Sequence, residues 1–208
     1  MNGFKPSSLL LAGMLLTLPA QAQVSMFGGG PSRNMVSAEK GLPAKWDPET
    51  GQNILWSADL GSQSYGGPIL GDGKVFVGTN NEGKRNPKLT GDRGNLMVFD
   101  AKTGKFLWQA AHAKLPAGRV NDWPLQGIWS TPALDGNRVY YVSNPPEVVA
   151  AGTAGFLDKE NDGPFTKETE KSDIDEDVVW ALDMIGELDV FPHNLAAGNP
   201  LIVGNILY

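Results

Sequence analysis

Cysteine is absent from this 208-residue chain. Its absence excludes disulfides, thiolate nucleophiles, thiolate metal sites and acylation of a cysteine behind an export signal. Histidine is nearly absent: His112 and His193 are the only two, and they do not stand at a metal-ligand spacing. Basic runs are missing as well, and the formal net charge is −6, which argues against nucleic acid and anionic lipid surfaces as partners. There is no long apolar stripe of period 3.6, so a helical bundle is not expected. A nucleophile elbow, a phosphate loop and a dinucleotide fingerprint are all lacking. Gly28-Gly29-Gly30 is glycine-rich but has no strand before it.

What is present begins with residues 1–22, which read as a cleaved signal peptide. Lys5 supplies the positive start, Leu9-Leu10-Leu11-Ala12-Gly13-Met14-Leu15-Leu16 the apolar run, and Ala20-Gln21-Ala22 the cleavage signal. That apolar run is too short for an ordinary membrane span and no second one follows, although an uncleaved anchor is the alternative. The expected product starts at Gln23, carries a charge of −7 once Lys5 is removed, and lies in the periplasm or outside the cell. Residues 23–45 form a lead-in segment, and 46–208 the folded domain. The 26 glycines and 15 prolines punctuate short β-rich runs, which points to an all-β fold.

Internal self-similarity sharpens that expectation. Ile54-Leu55-Trp56, Phe106-Leu107-Trp108 and Val178-Val179-Trp180 each end in tryptophan. Asp47-Pro48-Glu49-Thr50-Gly51 and Asp100-Ala101-Lys102-Thr103-Gly104 precede two of them. In those turns the Asp and Thr side chains can bond nearby backbone, and glycine accepts positive φ. After each tryptophan comes a strand–turn–strand unit. It starts at Pro68, Pro132 and Pro200 and reaches Val75-Phe76, Val139-Tyr140 and Leu207-Tyr208 seven residues on. With strands expected at Gly94–Phe99 and Glu147–Ala151, each unit holds about four strands, as a propeller blade does. The tryptophan spacings of 52 and 72 exceed the roughly 40–45 of a WD40 blade. The excess lies in polar insertions at 82–93 and 158–177. A β-sandwich with coincidental repeats is the alternative reading.

The stretch Phe99–Trp108 resembles the PQQ-like (pyrrolo-quinoline quinone) repeat, strand–Asp–x–x–Thr–Gly–Lys–x–x–Trp, of exported bacterial β-propellers. Met26–Asn34 is similar to the segment before the first blade in that family. The resemblance implies that Trp56, Trp108 and Trp180 dock between neighbouring blades, and that Asp100, Thr103 and Gly104 form the repeat turn. The second unit, Ala151-Gly152-Thr153-Ala154-Gly155, lacks the turn Asp. Trp46, Trp123 and Trp129 fall outside the docking positions and are expected in core or blade-interface packing. Two blades and one opening strand do not close a ring of about four to eight blades. The expectation is therefore a fragment of a longer reading frame, or closure by oligomerisation.

The family includes PQQ- and calcium-dependent dehydrogenases of alcohols or sugars, whose quinone lies between a cysteine pair and a tryptophan floor with an Asp as base. This sequence has no cysteine and no tryptophan-rich run, so no cofactor-binding or catalytic residue is assigned. Asp158, Glu160 and Asp162, followed by Gly163, resemble the first half of a calcium loop, but its twelfth position is Thr169 and no helices are expected to flank it. With nine carboxylates against three lysines in 158–177, a solvated acidic loop is the other reading. Both histidines are expected in polar loops, satisfied or solvent-facing. The functional expectation is a non-catalytic binding or scaffold propeller, similar in repeat type to the exported scaffold of outer-membrane protein assembly. Its insertions would meet a protein partner or small ligand, and the alternative is part of a quinoprotein dehydrogenase.

Overall fold

The computed structural model describes residues 24–116 and 120–208; the expected signal peptide at 1–22 lies outside the described residues. Two four-stranded antiparallel sheets follow one another in strict meander order. The first contains β1 (Ile69–Gly71), β2 (Lys74–Asn80), β3 (Arg93–Asp100) and β4 (Phe106–Ala113). The second contains β5 (Ala133–Asp135), β6 (Arg138–Val142), β7 (Glu147–Gly152) and β8 (Val178–Asp183). A short helix α1 (Met184–Leu188) comes next, and a hairpin of β9 (Ile202–Val203) and β10 (Ile206–Leu207) opens a third unit. This is an all-β, propeller-like architecture. Among the described residues no helix is long and apolar enough to cross a membrane.

Local sequence explains the repetition. Asp72 and Gly73 take positive φ of 51° and 67° in the two-residue turn that sets Gly71 against Lys74. Such a turn matches the twist of the strands it joins. Both sheets then slip register at the same place, between Val98 and Phe99 and between Ala150 and Ala151. A bulge there bends the strand just before the turn that leads to the tryptophan strand.

Alternation along the strands assigns the faces. In β3, Leu96 and Val98 join Phe76, Trp108, Tyr141 and Val149 in the buried core shared by the two sheets. Met97 and Phe99 point the other way and are covered by Trp56, Ala58 and Leu60. The segment at 54–56 is therefore packed, although it is not itself a strand. At the inner edge, Val24 exchanges two backbone bonds of 3.0 Å with Leu70, and Leu134 N–H donates to Ser25. The lead-in thus covers the free edges of β1 and β5, which would otherwise invite further pairing.

Two expectations need correction. Trp46 is not in packing but 69% exposed, because the segment around it is exposed almost throughout. His112 is not in a polar loop; it lies at the end of β4 with its side chain 13% exposed. His193 is exposed. Trp129 is half-buried and stacks on Tyr65 at 4.2 Å, and Trp123 is half-buried.

Candidate functional site

Tryptophan geometry fixes how neighbouring units meet. The Trp56 indole Nε1 donates to the Ala101 carbonyl at 2.9 Å, and the Trp108 Nε1 to the Thr153 carbonyl at 3.0 Å. Each ring lies on a glycine: a Cβ on Gly104 would stand 2.6 Å from Trp56 Cδ2, and one on Gly155 2.9 Å from Trp108 Cγ. Trp180 is 36% exposed and borders an apolar groove of about 660 Å³ with Val142, Leu182 and Tyr208.

Asp100 organises its turn, accepting from Lys102 N, Thr103 N and Thr103 Oγ1 at 3.1, 2.8 and 2.6 Å. Those bonds, the Thr103 hydroxyl first, hold its carboxyl below the ordinary range. In the second unit Gly152 stands in that place, and the Thr153 hydroxyl instead donates to Asp72 of the first sheet at 2.8 Å. That bond links the two units.

The two insertions fold toward each other. Asn86 donates to Asp175 at 3.4 Å and Lys88 pairs with Glu170 at 3.6 Å. Arg85 turns away, donating to the Asp59 carbonyl and lying over Phe99 and Phe106. The insertions at 82–93 and 158–177 are thus joined by one exposed ion pair and one buried hydrogen bond. On the far side, Gln109 N–H of β4 donates to Ile174 at 2.9 Å. The second sheet's insertion therefore lies along the outer edge of the first sheet.

Between these segments and the strands is a cavity of about 420 Å³, walled by Lys88, Gln109, His112, Phe165, Glu168 and Glu176 among others. Pockets for small ligands commonly span roughly 300–1,000 Å³. Its base is a buried polar network. The Tyr141 hydroxyl donates to Glu176 Oε2 at 2.6 Å and lies 2.7 Å from His112 Nε2. With Glu176 ionised, the single hydroxyl proton goes to that carboxylate, so His112 Nε2 must donate to Tyr141. His112 Nε2 also lies 3.4 Å from Glu176 Oε1, and its Nδ1 lies 3.6 Å from Glu147 Oε2.

The electrostatics follow from that geometry. Burial opposes the His112 imidazolium, but Glu176 and Glu147 together outweigh it and leave the pKa raised. Glu147 is lowered, chiefly by its bond with His112. Burial raises Glu176, the charges of Glu147 and Glu168 adding to the effect while His112 and Tyr141 oppose it. Burial, then Glu176, pushes the Tyr141 hydroxyl well up, so it remains a donor. The cluster can hold a proton and present carboxylate oxygens to whatever enters the cavity.

Of the three expected calcium ligands, only Asp162 is engaged by a side chain from outside the loop. Asp158 accepts from Glu160 N at 3.0 Å, Glu160 itself is exposed, and Asp162 pairs with Arg138 at 2.7 Å. Among the described residues no group of three or more His, Cys, Asp or Glu is placed to hold a metal ion. Sequence reasoning missed the network at the base of the cavity. One signal was available: the β-period places His112 on the same face of β4 as Trp108 and Ala110, which belong to the core.

The family model described as outer membrane protein assembly factor BamB, a PQQ-like repeat model, matches residues 85–181. Over that stretch, which contains Trp108 and Trp180, the chain is similar to PQQ-like repeat proteins. Lupanine 17-hydroxylase (cytochrome c) of Pseudomonas sp. is 54% identical over 44 residues. The match covers 21% of this chain and 6% of that protein.

Proposed function

We propose that this chain is a non-catalytic binding module of the bacterial envelope, exported through its N-terminal signal, with the insertion-walled cavity as its ligand site. One observation carries the reading: segments inserted into two different sheets converge on one cavity, while the strands beneath keep a regular meander. A rigid β scaffold presenting long loops is a common way to build a recognition surface. The family description, an envelope assembly factor, supports the location and the scaffold role. Amide NMR of the purified chain against envelope-derived small molecules and peptides tests the site. Shifts clustered at Lys88, Gln109, His112 and Glu168 are expected. Shifts confined to the groove beside Trp180, or none from any compound, contradict it.

A second reading has its own support in the 44-residue match to a cytochrome-linked hydroxylase. Under it the chain is part of a PQQ- and calcium-dependent dehydrogenase of alcohols or sugars. The first reading is preferred because the longer match, over residues 85–181, is to a family model described as an outer membrane protein assembly factor.

A further inference from the structure

The wall of the cavity contains a side chain that the protein leaves unsatisfied. Glu168 is only 4% exposed at its side chain, and neither carboxylate oxygen has a hydrogen-bond partner among the described residues. The Lys171 ammonium stands 3.6 Å from Oε2, beyond hydrogen-bonding reach, and is itself 45% exposed. A buried carboxylate without donors is costly in a folded protein, and natural structures keep few of them. Its place beside an accessible cavity marks it as a group awaiting donors from outside.

Charge is sorted by depth around it. Lys88, 72% exposed and paired with Glu170, and exposed Lys167 hold two positive groups at the rim, while half-buried Arg93 donates to the Thr90 carbonyl and its charge reaches His112. The carboxylates of Glu168 and Glu176 lie deep, at 4% and 14% side-chain exposure. Tyr141 donates to Oε2 of Glu176, and His112 stands 3.4 Å from its Oε1. Half-buried Phe165 supplies an apolar and aromatic surface to the same cavity. Carboxylates at the bottom with an aromatic wall suit a positive head on an alkyl stem.

We propose that this cavity binds an organic cation, an alkylammonium or guanidinium group, with Glu168 as its counter-ion and Glu176 as a second acceptor. This rests on the cavity being a ligand site, as argued above. The same chemistry is carried by a free small amine and by a lysine or arginine side chain of a peptide.

Isothermal titration of the full chain tests it with butylamine, agmatine, an acetylated and amidated Gly-Lys-Gly peptide, neutral butanol and anionic succinate. Butylamine or agmatine is expected to bind while butanol and succinate do not. Glu168→Gln should weaken binding by at least about tenfold. Tighter binding of the peptide assigns the natural source to a protein partner, and tighter binding of the free amines assigns it to a small molecule. Succinate or butanol binding at the cavity overturns the cation assignment while leaving the ligand site standing. Silence from every probe, together with a silent NMR panel, overturns both. A second readout guards against a purely structural Glu168. Glu168→Gln should keep or raise the Tm of the free protein, because it removes an unpartnered buried charge. A lower Tm would make Glu168 a structural partner of Lys171 and overturn the assignment.

Discussion

The indole of Trp108 reaches across from the first sheet to the carbonyl of Thr153 in the second, at 3.0 Å and 45 residues on in sequence. Trp56 makes the same bond to Ala101 at the same separation of 45. In both, the ring lies flat on a glycine of positive φ, Gly155 at 57° and Gly104 at 69°. Propagation of the blade unit is thus written as a donor, an acceptor and a missing Cβ.

Trp108 and Trp180 should therefore differ sharply when replaced. Trp108→Phe strands the buried Thr153 carbonyl, at a cost of about 1–3 kcal/mol, and Trp108→Ala should cost about 3–5 kcal/mol. Trp180, 36% exposed beside an open groove, should cost under about 1.5 kcal/mol as Trp180→Ala, within the range of partly exposed sites. Guanidinium unfolding monitored by circular dichroism measures all three. Equal losses at Trp108 and Trp180 would contradict the docking account.

Glycine substitutions separate backbone strain from lack of space. A methyl on Gly155 would stand 2.7 Å from the Asp175 carbonyl oxygen and 2.9 Å from Trp108 Cγ, whereas one on Gly73 meets nothing within 4 Å. Both positions have positive φ, so each alanine costs about 1–2 kcal/mol from conformation alone. Gly155→Ala should add the displacement of the indole and lower the Tm clearly more than Gly73→Ala. Similar losses would mean that the ring is not seated on Gly155.

The buried cluster predicts a pH dependence with a definite sign. His112 is raised above its ordinary 6.5. Its stabilisation is therefore present in full below that value and lost as pH rises through the raised one. Glu176 is raised above its ordinary 4.5 as well, so its cost to stability grows as pH rises from 4.5 through its raised value. Glu147 is lowered from 4.5 and contributes above that value, losing its effect only as pH falls through its depressed one. The cluster is most stable in mild acid. Wild-type Tm should fall as pH passes above about 6.5, and His112→Gln should flatten that slope. A wild-type Tm that rises through the same window would contradict the assignment.

How much of this was legible depended on sequence distance. The tryptophan strands at 106–108 and 178–180, the Asp–Thr–Gly turn at Asp100 and the hairpins at Pro68, Pro132 and Pro200 are local patterns, and the sheets follow them almost residue for residue. The cavity is not local. His112 meets Tyr141 from 29 positions away, and Tyr141 meets Glu176 from 35. Only the docking of one sheet on the other, with an insertion folded along β4, brings them together. A lone histidine after two alanines reads as a loop residue until the sheet register shows its face. Trp46 misled in the opposite sense, because an aromatic in a lead-in segment has no partner guaranteed by the repeat.

Dye-linked oxidation of alcohols and sugars by the full chain supplied with PQQ and calcium tests the binding-module reading most directly. The account predicts no bound quinone absorbance and no dye reduction above that of the cofactor alone. Stoichiometric quinone binding with calcium-dependent turnover would contradict it and establish the dehydrogenase reading.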